Sequence, residues 1–323
     1  MAQWVNLKKK YRLFSTQIPS QFVIPTTLSI AKIYPTRLEI DGKAYQLPFK
    51  GPCRKFTVFQ DLEKNHLEVQ MHTQNGYVRY FLIPKDNKLH FVYKKGPKIP
   101  LPFKSIKMPT QTPSKEKLFL GSHKKQQIEK LRSCEDLIPI WHKIAINMPK
   151  VTPFAKKQGP FSLEIHSAQA ILDLYHIAFD GGFVPQIEDT KYLGYQLPPI
   201  SSKRKDLPFA FFTQSASQLR ALFFKEEKNA LYFLPHLLPE FHTGKFVYIE
   251  SQYGHISFEW SKKFIRKVLF VPSQDVQLTL HFQKKLKSCR QRHNKNQKGV
   301  QLKLPITQSF EKDKPYLFDR FQK

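Results

Sequence analysis

The sequence predicts a mainly β protein with a small α part: an N-terminal antiparallel β domain, a helical middle and a C-terminal β-sandwich. Three observations carry this expectation. Two stretches, 27–95 and 229–283, alternate apolar and polar residues with a period of two, the mark of strands with one buried and one wet face. Between them, Ala168, Ile171, Leu172, Tyr175, Ala178 and Phe179 recur at helical spacing. Turn signals separate the alternating runs at short intervals, as they do in antiparallel β folds.

Taken in order, residues 1–26 read as a basic arm. In 27–95, Asp41-Gly42 is a two-residue hairpin signal between Arg37–Ile40 and Lys43–Leu47. Leu67, Val69 and Met71 alternate with polar neighbours, and Asn75-Gly76 and Pro84–Asn87 mark two further turns. Prolines 97, 100, 102, 109 and 113 make 96–117 an extended connector, because proline removes a donor and fixes φ. The middle, 118–228, holds a helix over about 123–133 capped by Ser122, helical or turn-like chain from Leu137 to Pro149, the stripe over about 164–180 ended by Gly181-Gly182, and a helix over about 212–225. In 229–283, Ile256, Phe258 and Trp260 face one way and His255, Ser257 and Glu259 the other; Val276, Leu278, Leu280 and Phe282 repeat the pattern. Residues 284–323 read as a basic C-terminal extension without apolar period.

Composition narrows the classes. Hydrophobic residues make up 41% of the 323, too many for a disordered chain. No apolar run reaches the roughly 20 residues that span a bilayer, so no transmembrane segment is expected. The start has no apolar region behind its charges, so it is not a secretion signal. Cys53, Cys134 and Cys289 form neither a disulfide framework nor a zinc pattern, which fits a reducing cytoplasm. The net charge of +28 favours contact with polyanions, although it is spread over the chain and carried mostly by lysine rather than by the bidentate arginine. No phosphate loop, dinucleotide fingerprint or Gly-x-Ser-x-Gly elbow occurs, and no cofactor is implied.

Leu219-Arg-Ala-Leu-Phe-Phe224 precedes Leu231-Tyr-Phe-Leu-Pro-His-Leu-Leu-Pro239, and Gly244, Gly254, Ile256 and Trp260 follow. Over about 212–283 this resembles the end of the bacterial α-L-fucosidases and related inverting glycosidases, where a last helix of an (α/α)6 toroid leads into a terminal β-sandwich. The family also carries an N-terminal β domain, whose place 27–94 would take. The chain between the two β regions is too short for the toroid that holds the family's carboxylates. The resemblance therefore implies a related sandwich with the barrel absent or reduced, and no catalytic residue is carried over.

Glycoside hydrolysis needs two carboxyl groups about 5–10 Å apart. Glu188 and Asp189, in a loop after Gly181-Gly182, are the catalytic candidates; the alternative is a solvated loop. Tyr253, beside a turn glycine, together with Glu240, His242 and His236 in the proline corner, is the candidate ligand site; structural histidines bonding main-chain carbonyls are the alternative. The corner's spacing matches no metal motif, so no metal is expected. Tyr248, Tyr253 and Trp260 are the aromatics that a wet C-terminal face could offer to a sugar ring or a base, with Trp260 better placed in the core. Lys284, Lys285, Lys287, Arg290 and Arg292 are the candidate nucleic-acid contacts. The expected function is a non-catalytic or vestigial glycosidase-related protein that binds carbohydrate or serves in assembly. The alternatives are a nucleic-acid-binding protein using 284–298 and an active glycosidase with its site near 180–195.

Overall fold

A computed structural model describes residues 8–12, 20–121, 138–149, 208–294 and 296–323. The helices expected over 123–133 and 164–180, Cys134, and the loop with Glu188 and Asp189 lie outside the described residues.

The first ten strands build the N-terminal part: β1 (Lys8–Arg12), β2 (Ser20–Val23), β3 (Ile30–Ile33), β4 (Arg37–Ile40), β5 (Lys43–Gln46), β6 (Arg54–Asp61), β7 (His66–Thr73), β8 (Gly76–Lys85), β9 (Lys88–Lys95) and β10 (Ser105–Lys107). They form two sheets, β1-β6-β7-β8-β9-β10 and β2-β3-β4-β5. Ile33, Leu38 and Ile40 of the small sheet share one core with Val58, Val69 and Met71 of the large one. The Asp41-Gly42 hairpin forms as expected, with φ of 47° and 82°. Two boundaries move. The basic arm is not an appendage, since β1 pairs with β6 and β2 with β3. The proline-rich connector supplies an edge strand, β10, on β9.

Eleven further strands follow: β11 (Lys117–Gly121), β12 (Phe224–Glu227), β13 (Ala230–Phe233), β14 (Thr243–Ser251), β15 (Gly254–Ser261), β16 (Phe264–Pro272), β17 (Val276–His281), β18 (Ser288–Arg292), β19 (Val300–Lys303), β20 (Ile306–Phe310) and β21 (Tyr316–Gln322). A seven-stranded sheet, β11-β14-β15-β16-β21-β18-β19, faces a four-stranded one, β12-β13-β17-β20. All neighbours are antiparallel except β13 and β17. Phe258 meets Phe233 at 5.5 Å and Phe270 meets Phe310 at 5.1 Å across the interior. Trp260, Leu278 and Leu280 are buried there, as alternation requires.

A helix over 138–146 and the helix Pro208–Phe223 pack on the same core. The second ends at Phe223 and the chain enters β12 at once; Ala216, Leu219 and Phe223 are its buried face. Phe223 lies 5.5 Å from Trp260.

The sandwich reaches beyond 229–283. Residues 284–323 are not an extension but four of its strands, with β21 lying between β16 and β18. In Ser-Cys-Arg-Gln-Arg292 the only apolar residue is Cys289, which is fully buried, and the next inward position, opposite the buried Phe318, is the polar Gln291. A single small apolar inward residue is too faint a period to read as a strand.

Candidate functional site

The candidate site is a groove of about 490 Å³ on the outer face of the seven-stranded sheet, bordered by the turn between β6 and β7. Cross-strand neighbours on that face run Lys245, Glu259, Lys267, Asp319 and Arg290, alternating in sign from strand to strand. The first three line the groove, with Glu63, Lys117 and Ser257.

Its apolar part comes from a bulge. Phe246 pairs with Phe258 and Ile249 with Ile256, so Val247 and Tyr248 together oppose Ser257. Both Phe246 and Ile249 point inward and are fully buried. Tyr248 is left outside, 57% exposed, with φ of 56°. A bulky residue in this left-handed region is uncommon, and such conformations gather at functional sites. The Tyr248 amide donates to Ser257 Oγ at 3.0 Å, which fixes the bulge. Val247 and Leu269, the latter 38% exposed, complete an apolar strip beside the ring.

Glu63 and Lys117 close one wall. Asp61 Oδ1 accepts from the amides of Glu63 and Lys64, which sets the tight turn after β6. Lys117 Nζ then reaches both oxygens of Glu63, at 2.8 and 2.7 Å.

Behind Lys117 lies a buried polar cluster that holds β11 in place. Glu116 is 4% exposed. Its carboxylate accepts from Arg220 Nε at 2.9 Å, lies 3.1 Å from His142 Nε2, and accepts from the Glu250 amide at 3.4 Å. Burial alone would raise its pKa, but His142 and Arg220 more than offset this and hold it down at about 2. Lys143, also buried, donates to the carbonyls of Ser114 and Glu116 at 2.5 and 3.2 Å. Burial, reinforced by Lys117, lowers its ammonium to about 8. Asn147 joins Ser114 to Asn65 of the N-terminal part, at 2.9 and 3.1 Å.

The expected ligand corner changes in character. Tyr253 is not free: it is 7% exposed, its hydroxyl accepts from the Asn229 amide at 2.8 Å and donates to the Glu227 carbonyl at 3.3 Å. The cause is the adjacent Gly254, with φ of 141°, where a Cβ would lie 2.2 Å from the Val271 carbonyl oxygen; the tight turn folds the ring back onto the β12–β13 hairpin. In the proline corner His236 is exposed, while Glu240 and His242 are half-buried. Among the described residues no three His, Cys, Asp or Glu side chains gather as metal ligands would. Trp260 is in the core, its Nε1 donating to the Phe241 carbonyl at 3.1 Å.

The basic stretch divides in two. Lys284, Lys285 and Lys287 are exposed. Arg290 and Arg292 are not available as nucleic-acid contacts: both bind Asp319, at 2.8 and 2.5 Å, with side chains only 16% and 15% exposed. Burial would raise Asp319, and the two guanidiniums hold its carboxyl below the usual range. No family model matches the chain, and no curated protein matches it.

Proposed function

We propose that the protein is a non-catalytic binding protein whose ligand is a carbohydrate lying in the Tyr248 groove. The observation that carries this reading is Tyr248, an aromatic ring held out in a left-handed bulge beside a groove of alternating donors and acceptors. A sugar asks for that combination: an apolar face for the C–H side of its ring, and charged groups that hydrogen-bond its hydroxyls. The resemblance of 212–283 to the end of the fucosidase-type glycosidases favours a sugar over other ligands of mixed polarity, and the proposal includes a shared sandwich ancestry. A second groove, of about 470 Å³, is lined by Asn87 and Thr110, but these bond each other twice, at 3.1 Å.

Glu63 and Glu259 both line the Tyr248 groove, so the alternative of an active glycosidase has a concrete form there as well as at Glu188 and Asp189. Glu63 is engaged through both oxygens with Lys117, which suits a fixed carboxylate rather than a proton donor. The test is a panel of neutral and acidic oligosaccharides, scored for binding and for hydrolysis. Retention of a subset without turnover is expected. Hydrolysis that disappears in Glu259→Gln, Glu188→Gln or Asp189→Asn would replace the binding reading with a catalytic one.

A further inference from the structure

The topology gathers eight cations that form no ion pair with a described residue at one end of the C-terminal sandwich, on separate turns. The β15–β16 hairpin turns through Lys262 and Lys263. The loop from β17 to β18 carries Lys284, Lys285 and Lys287. Lys303 ends β19, and Arg320 and Lys323 lie at the end of β21. All eight are exposed except the half-buried Lys263, and none forms an ion pair with a described residue. No Asp or Glu lies in 261–264, 282–288, 303–305 or 320–323.

Hydrogen bonds lock these turns to one another. Gln283 donates to the Lys263 carbonyl at 2.5 Å and accepts from the Ile265 amide at 3.0 Å. The Lys287 amide donates to the Gln322 carbonyl at 2.8 Å, and the Leu304 amide to the Lys287 carbonyl at 2.9 Å. Lys323 Nζ sits 4.0 Å over the Phe264 ring. The charges are therefore held together by the fold.

An independent feature points the same way. Lys262 and Lys263 have φ of 51° and 67°. A two-residue hairpin with both φ values positive favours Asn-Gly, and two lysines there are poor choices for folding alone. The opposite end of the sandwich is balanced: Lys314 pairs with Glu311 at 2.6 Å, and Asp275 accepts from the Lys312 amide.

We infer that this cationic end binds the phosphate backbone of nucleic acid without reading its sequence. Lysine supplies mobile point charges suited to phosphates, and no large exposed apolar side chain among the described residues lies at this end to enter a bilayer. The inference stands apart from the sugar groove and needs none of its residues.

The experiment measures anisotropy of a labelled oligouridylate against the full chain over a salt series. Three proteins are compared: wild type, Lys284→Gln with Lys285→Gln and Lys287→Gln, and Lys262→Asn with Lys263→Gly. Wild type should bind with a steep salt dependence. Each variant should weaken binding, with the slope flattened by about 0.7 for every phosphate that is no longer neutralised. The turn variant should lose affinity while melting no lower than wild type, which separates charge loss from misfolding. Lys312→Gln with Lys314→Gln, at the balanced end, should change neither affinity nor slope. Absence of binding at low salt, unchanged slopes in both end variants, or an equal loss in the Lys312 and Lys314 control would each overturn the inference. So would binding to phosphatidylserine vesicles without binding to the oligonucleotide.

Discussion

The Tyr248 groove and the cationic end are both wet surfaces of one sandwich, yet they are built on opposite plans. In the groove, charges alternate across the strands, Lys117 is tied to Glu63, and an aromatic ring is held in the open by a bulge. At the end, like charges crowd together on locked turns without an acid among them. The +28 net charge is therefore not one feature. Arg290 and Arg292, the arginines of the basic stretch, are structural, because Asp319 holds them. The lysines of neighbouring turns form no ion pair with a described residue. A surface with paired charge and an open ring is suited to a directional neutral ligand; one with unpaired charge is suited to a polyanion.

The largest effect should come from breaking the scaffold that both surfaces share. Leu280 is fully buried and Gln277 is exposed on the same strand. Leu280→Asp places a charge in the core and should cost several kcal/mol, whereas Gln277→Asp should move the urea midpoint little. Equal midpoints would mean that the faces of β17 are assigned the wrong way round. Gly244→Ala belongs with the large effects, since its Cβ would sit 2.2 Å from the Trp260 ring and 2.7 Å from the Phe119 carbonyl oxygen. A loss of about 1–3 kcal/mol in a denaturant melt is expected.

Next comes the cluster behind the groove. Glu116→Gln leaves His142 and Arg220 without their anion and should cost about 3 kcal/mol at neutral pH. The pH dependence has a definite sign. The folded pKa of about 2 lies below the ordinary 4.5, so the stability from Glu116 is fully present above 4.5 and is lost as pH falls toward 2. The wild-type stability curve should fall steeply across that window and the variant's less so. Parallel curves would show that the carboxylate is not held down in the folded state. A smaller effect is expected at the lysine turn, where Lys262→Asn with Lys263→Gly should raise the melting midpoint slightly by relieving two positive φ values.

Much of the fold is legible in the residues because one face of most strands is apolar. Alternation marks β7, β15 and β17, and Asp41-Gly42 marks its hairpin. It fails at β18 and β19, where Cys289 is the only fully buried residue, so a core strand reads as a basic tail. The site is less legible. Tyr248 is recognisable as a wet-face aromatic, but strict alternation from Phe246 would turn it inward. The sign of the bulge is that Phe246 and Ile249 are three apart and both inward. Tyr253 misleads because a turn glycine suggests openness, while this glycine is there to let two strands close tightly. The wall formed by Glu63 and Lys117 joins positions 54 residues apart, which no local pattern brings together. His66 looks solvent-facing by alternation but is buried against Phe81, at 4.9 Å, because that end of β7 is covered on both faces.

The most direct measurement concerns Tyr248→Gly. Glycine adopts positive φ without penalty, so the bulge should be kept and the folding free energy should hold or rise by roughly 1 kcal/mol, while the stacking ring is removed. Urea melts and titration with the best-retained oligosaccharide are made on the same protein. The expected result is an undiminished midpoint with sugar affinity reduced at least about tenfold, as the removal of one well-packed aromatic ring implies. Unchanged affinity at an undiminished midpoint would contradict the assignment of the groove as the sugar site.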